Sequence, residues 1–242
     1  MTDYTHLIPA NDPQRLAALQ AYHLLGKTPD TVFDELVRLV AQLFGVPIAL
    51  ISLVAKDTVE FAGNFGLSDV RVVDRPDSIC SVAVLHETTT LFEDLHADPC
   101  QLTNQVAAQQ FNMGFYAGHP LHTRTGYNIG SLCVIDHQPR TLSGLEQQRL
   151  ATLADVVLDL FDLRLAVLER PKAAQAMWDA IHRRIGTSLT RIDTLRALSQ
   201  WEESNTTPAA QQYQRSIEEE AHLVIQDLRD EVKTALRQVA TT

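Results

Sequence analysis

The chain is 242 residues long, 45% hydrophobic and 21% charged, which is enough apolar material for one ordinary core plus an appendage and too much for a disordered tract. Lys and Arg number 20 against 30 Asp and Glu, a net charge of −10 that excludes nucleic acid as a default partner, because phosphate binding needs a basic surface. No apolar run approaches the roughly 18 residues of a membrane span and the N-terminus lacks a charged-then-apolar signal pattern, so no membrane contact and a cytoplasmic location are expected.

Residues 1–11 read as a flexible leader. Asp12-Pro13 then offers an N-cap and a proline at the first helical position, with Leu16, Leu19 and Leu24 following before Gly26. Thr28-Pro29 opens a second helix whose apolar residues Val32, Phe33, Leu36, Leu39, Val40 and Leu43 share one face, and Gly45 ends it. Ile48–Val54 is a continuous apolar, branched run, the mark of a central strand, and Thr58–Gly63 is its expected partner. Residues 64–77 read as a loop, Ser78–His86 as a short helix capped by Ser78, Thr90–Leu95 as a short strand, and 96–113 as an irregular or partly helical connection.

Two apolar runs, Gly114–Leu121 and Tyr127–Ile135, flank a polar turn containing Gly126, the punctuation of a β-hairpin. Both alternating sets of side chains in each run are apolar or small: Phe115, Ala117 and Leu121 against Tyr116, Gly118 and Pro120, for example. A strand with one wet face would alternate, so this hairpin is covered on both sides. Ser143 and Glu146 form a capping box for a helix reaching about Glu169, roughly 40 Å at 1.5 Å per residue, and Pro171 breaks it.

Beyond Pro171 two stripes recur every three or four residues, one from Met177 to Leu198 and one from Tyr213 to Leu236, with a polar turn at Glu202–Pro208 between them. This is an αα-hairpin. Two helices alone bury little, so a second copy forming a four-helix bundle through residues 172–242 is the expected cover, with packing onto the chain's own sensor as the alternative.

The stretch FYAGHPL, a short turn and IGSLCVID-x-x-PR-x-L resembles the final two strands of bacterial GAF domains. Arg15–Leu19, Thr28-Pro29, Phe33-Asp34-x-Leu36 and Leu43–Val54 are similar to that group's opening helices and first strand, and Ser78-Ile79-Cys80 and Phe92-x-Asp94 to its mid-domain segments. The resemblance covers roughly residues 11–170. It implies an α+β fold, a GAF-like antiparallel sheet with helices on one face and a closed pocket on the other, followed here by a C-terminal α-helical hairpin. The domains expected are a sensor at 12–170 and a dimerisation or output module at 172–242. By position, the resemblance points to Phe61, Ser78, Cys80, Phe92, Asp94, Phe115, Tyr116 and Cys133 as lining a ligand pocket, unless these residues simply fill a core.

The family's chemistries leave further tests. A bilin attachment cysteine is followed by histidine, whereas Cys80 precedes Ser81 and Cys100 precedes Gln101. The cyclic-nucleotide pattern ends in an acidic pair, and Gly114-Phe115 stand near that place. Some family members reduce free methionine sulfoxide with pocket thiols, and Cys80 is the candidate nucleophile for such an activity here. Cys80, Cys100 and Cys133 have no metal-site spacing and leave an odd thiol, consistent with a reducing compartment. His119 and His122 fall on opposite faces of a strand, so no metal is expected, and no cofactor beyond an unidentified small ligand. His182, beside Arg183-Arg184, faintly resembles the phosphoacceptor of histidine kinase hairpins. The expectation is a sensory or regulatory protein that is not an enzyme, homodimeric, sensing or relaying a small-molecule signal to an unknown signalling partner. The alternatives are a thiol-dependent methionine sulfoxide reductase and a ligand-free adaptor or phosphotransfer-like module.

Overall fold

The computed structural model describes residues 4–67, 70–200 and 207–241. Two helices, α1 (Asp12–Gln20) and α2 (Thr31–Phe44), precede strands β1 (Ile48–Val54), β2 (Thr58–Phe65) and β3 (Val72–Asp74). Short helix α3 (Cys80–Ala83), strand β4 (Thr90–Phe92) and short helix α4 (Val106–Gln110) lead to the hairpin β5 (Phe115–His122) and β6 (Asn128–Asp136). Three long helices finish the chain: α5 (Gly144–Glu169), α6 (Pro171–Gln200) and α7 (Pro208–Thr241). The strands form one antiparallel sheet in the order β3-β2-β1-β6-β5-β4, an α+β fold in which the first long strand pairs with the last.

Local chemistry sets the boundaries. Helix α2 starts at Thr31, later than Thr28-Pro29, because the Asp30 carboxylate accepts the Val32 amide at 3.1 Å and so caps it. It stops where Gly45 takes a left-handed conformation, φ 64°. At α1 the cap position belongs to Asn11, and Asp12 lies inside the helix with another task. Ser143 and Glu146 make the reciprocal capping box, and the helix it opens ends at Glu169, where Pro171 removes the next amide donor. Helix α3 is only four residues and has no side-chain cap; Ser78 instead turns the chain by accepting the Ser81 amide on its carbonyl at 3.1 Å.

The leader is held from residue 4 onward. Leu7 is fully buried, the Tyr4 hydroxyl donates to Asp57 at 2.9 Å, and the His6 ring donates to the Leu102 carbonyl at 2.7 Å. Residues 1–3 of that leader, and 202–206 of the expected Glu202–Pro208 turn, lie outside the described residues.

Both sheet faces are buried, as the hairpin's composition predicts. Ala49, Ile51, Phe115, Ala117, Leu132 and Val134 meet α2 and α5 on one face, while Leu50, Phe61, Tyr116, Cys133 and Ile135 form a second cluster with Ile79, Cys80 and Val82 on the other. The C-terminal stripes join the first of these cores. Ile181, Ile185 and Ile192 of α6 and Val232 of α7 are fully buried among residues of α2 and α5. Phe33 stands edge-on to both Phe161 (5.3 Å) and Trp178 (5.8 Å), tying α2, α5 and α6 together. Ion pairs at the rim repeat the pattern, with Arg184–Asp227 at 2.6 Å and Arg149–Glu218 at 2.7 Å. Most of the apolar surface that suggested a second copy is therefore covered within the chain, with Leu198 left 40% exposed.

Candidate functional site

On the sheet face away from the long helices, α3 and α4 close over the middle of β1, β5 and β6. Leu50, Phe61, Ser78, Cys80, Met113 and Tyr116 border a cavity there that leaves about 10 Å³ for the centre of a water molecule. That is room for one water. The pocket is a packed core with a polar heart: Ser52 and Ser131 bond across β1 and β6 at 2.8 Å, and the Cys80 and Cys133 sulfurs lie 3.8 Å apart. All four side chains are buried, as is Ser78.

The two thiols are unlike. Hydrogen bonding from Cys133 outweighs burial and, helped by Tyr116, Ser52 and Ser78, brings the Cys80 pKa down to about 6. Burial first, and then the neighbouring Cys80, push Cys133 well above the ordinary thiol value. Tyr116 is pushed up by its burial and by the two sulfurs. Its hydroxyl is fully buried, lies where a Cβ on Gly118 would come within 2.2 Å of it, and interacts with Cys80, Cys133 and Ser131. Gly118 is what lets the ring lie flat along the strand. Because the Tyr116 hydroxyl also helps to lower the Cys80 pKa, Tyr116→Phe is expected to raise it, read from the pH dependence of thiolate absorbance in the parent and the variant.

Of the residues expected to line the pocket, the structure brings together Phe61, Ser78, Cys80, Tyr116 and Cys133 on this face, with the Phe92 ring 6.3 Å from Tyr116. Phe115 is not among them. Adjacent strand residues point to opposite faces, and Phe115 is buried with α5 in the helical core. Asp94 is also elsewhere: its carboxylate accepts the amides of His96 and Ala97, both at 3.0 Å, and so builds a turn. His182 faces the sensor, its Nε2 3.0 Å from a Glu35 carboxylate oxygen across the α2–α6 contact. Farther along α6, Arg184 and Arg191 pair with acidic residues of α7 and Arg196 donates to the Gln42 carbonyl at the end of α2.

Two features escaped the sequence. One is a buried charge cluster at the edge of the cavity segment. Asp12 receives Arg15 at 2.8 Å and Arg75 at 3.2 Å, and Arg75 also donates to the carbonyls of Leu7, Ala55 and Lys56 at 2.8, 3.2 and 3.1 Å. Burial raises the Asp12 pKa, but the hydrogen bonds from Arg75 and Arg15 outweigh it and hold the carboxyl below its ordinary value. Only a pairing across 63 residues identifies Arg75 as Asp12's partner, and no local pattern marks it. The other is an open cleft of about 620 Å³ on the helical side, between the turn before α2, β2 and the end of α5, with Lys27, Arg71 and Arg164 on its wall. Among the described residues, no helix is long and apolar enough to cross a membrane, and no three His, Cys, Asp or Glu side chains are grouped to hold a metal.

A two-faced antiparallel sheet, with helices from both ends of the chain on one side and short segments closing a small cavity on the other, defines an α+β domain. The GAF domain family matches residues 28–160, more than half of the sequence, and the chain belongs to that family. A cyclic di-GMP phosphodiesterase of Pseudomonas aeruginosa is 37% identical over 132 residues, 54% of this chain and 22% of the relative, so the chain spans well under a third of that protein's length. Among solved structures, the GAF domain of an Acinetobacter phosphoenolpyruvate-protein phosphotransferase is 17% identical with a TM-score of 0.47, covering 64% of this chain and 98% of that one. The GAF domain of PixJ from Thermosynechococcus elongatus, in its blue-light absorbing form, is 13% identical with a TM-score of 0.48, covering 66% and 94%. The expectation that the chain is not an enzyme is corrected by the Pseudomonas relative, which is named as one.

Proposed function

We propose that this protein is a signal-transduction module in which the GAF domain receives a regulatory input and the α6–α7 hairpin presents it to a partner in cyclic di-GMP signalling. One observation carries the reading: hairpin and sensor share a single apolar core, from Ala49 and Ile51 of the sheet through Phe33 and Phe161 to Ile185 and Val232. A repacking on the sheet side therefore reaches the hairpin without any intervening linker. The cyclic di-GMP connection comes from the Pseudomonas relative, whose match of 132 residues is close to the length of a GAF segment. That suits a regulatory part shared with a larger protein of second-messenger turnover.

Hydrogen exchange on the full chain tests this, with a metabolite panel that includes cyclic di-GMP, each compound first scored for thermal stabilisation. The expected result is that a stabilising compound slows exchange in the segments over the cavity and also changes it in α6 or α7. Stabilising compounds that leave the hairpin's exchange untouched would overturn the reading. Assaying cyclic di-GMP hydrolysis in the same samples reports separately whether the chain shares the relative's activity.

A further inference from the structure

We propose that Cys80 and Cys133 are a peroxide-responsive pair that closes into a reversible disulfide inside the packed face of the sheet. Their sulfurs are 3.8 Å apart and both side chains are buried, with no other thiol between them. A disulfide needs about 2 Å, so one sulfur must travel a little under 2 Å. Cys133 cannot supply that movement, because β6 is hydrogen-bonded to β1 on one side and β5 on the other. Cys80 can: α3 is a four-residue helix without a side-chain cap, joined to the sheet through short loops.

A route in exists beside it. Met113 borders both the inner cavity at Cys80 and an outer hollow of about 250 Å³ that opens to solvent between α4 and the segment around His96. Displacing that one flexible side chain would join the two and add its own volume to an inner cavity that has room for one water. Cys80 borders that cavity and Cys133 does not, so Cys80 meets the peroxide and, with its lowered pKa, supplies the thiolate, leaving Cys133 to supply the thiol. The Cys80 sulfur attacks one peroxide oxygen, the O–O bond breaks, and hydroxide leaves, giving a sulfenic acid. Cys133 then attacks that sulfur, the S–O bond breaks, and a second hydroxide departs. The protons of the two thiols neutralise both hydroxides, so the pair loses two electrons and the peroxide becomes two waters. A dithiol reductant reverses the change by exchange.

Closure would draw α3 toward β6 and pull on the turn that precedes it, where the Arg75 carbonyl accepts the Ser81 hydroxyl at 2.6 Å. The modification is thus joined by one hydrogen bond to the buried charge cluster at Asp12.

The test is intact-mass and peptide mapping of the reduced full chain after one equivalent of hydrogen peroxide, with free thiols alkylated on denaturation. The expected result is a loss of two hydrogen atoms, alkylation at Cys100 alone, and a peptide pair joined through Cys80 and Cys133 that dithiothreitol separates. Cys133→Ser should stop at a sulfenic acid on Cys80, trapped by dimedone; mapping of the unsubstituted chain decides the matter if that variant does not fold. Three alkylated thiols, a link to Cys100, or oxidation confined to one cysteine would each overturn the proposal.

Discussion

Replacing Arg75 with alanine is expected to lower folding stability by about 3–5 kcal/mol, measured by urea unfolding, because it breaks a buried ion pair and strips three backbone carbonyls of a donor at once. Arg75→Lys should recover little, since a single ammonium cannot reach Asp12 and the carbonyls of Leu7, Ala55 and Lys56 from one position. The same cluster sets an acid limit. The folded Asp12 carboxyl is held below its ordinary value, so its contribution to stability is complete above about pH 4 and is lost as the pH falls through the lower folded value. Asp12→Asn should be less stable at neutral pH and should lack that part of the acid-side decline. Equal acid slopes in the two proteins would show that the cluster does not govern it.

Trp178→Ala is expected to cost about 3–5 kcal/mol, the range for emptying a large aromatic site in a core that cannot collapse. Its ring stands between Phe33 of α2 and the Arg164 guanidinium of α5, 5.8 Å from each, so the loss falls on the seam between sensor and hairpin. Removing residues 171–242 altogether should go further, because α2 would then present Phe33, now packed by Trp178, to water. The full chain should unfold in one cooperative transition by both tertiary and helical probes, and the truncated chain should bind hydrophobic dyes and aggregate. Two separable transitions in the full chain, or a truncated sensor with unchanged stability, would show that the hairpin is a detachable module.

Elements whose signals are local were legible in the sequence. Strand Ile48–Val54 and the ends of α5 came out as read, because a branched apolar run, a capping box and a proline each act within a few residues. The pocket was half legible. Alternation already sets Phe115 and Tyr116 on opposite faces of β5, but with apolar residues on both faces it gives no sign of which face holds the cavity, and the resemblance names both as lining. Asp94 enters the lining only through the family resemblance, and position in a motif does not tell a carboxylate that faces a pocket from one that builds a turn. The cover for the hairpin stripes could not be read either. An amphipathic helix states that it needs an apolar neighbour and not which one, and α2 and α5 had apolar surface to spare once the sheet was paved.

The interruption at Arg170–Pro171 has a mechanical consequence. Arg170 sits at φ −137°, ψ 62°, outside helical geometry, and Pro171 offers no amide to bridge the gap, so α5 and α6 are separate rods meeting at a joint. What the joint permits is lateral traffic, in which a sideways slip of α5 is felt by α6 through the rings of Phe161, Phe33 and Trp178, which mesh like teeth. Such a contact has preferred seatings and steps between them, so a graded push on the sheet would emerge from the far helices as a click.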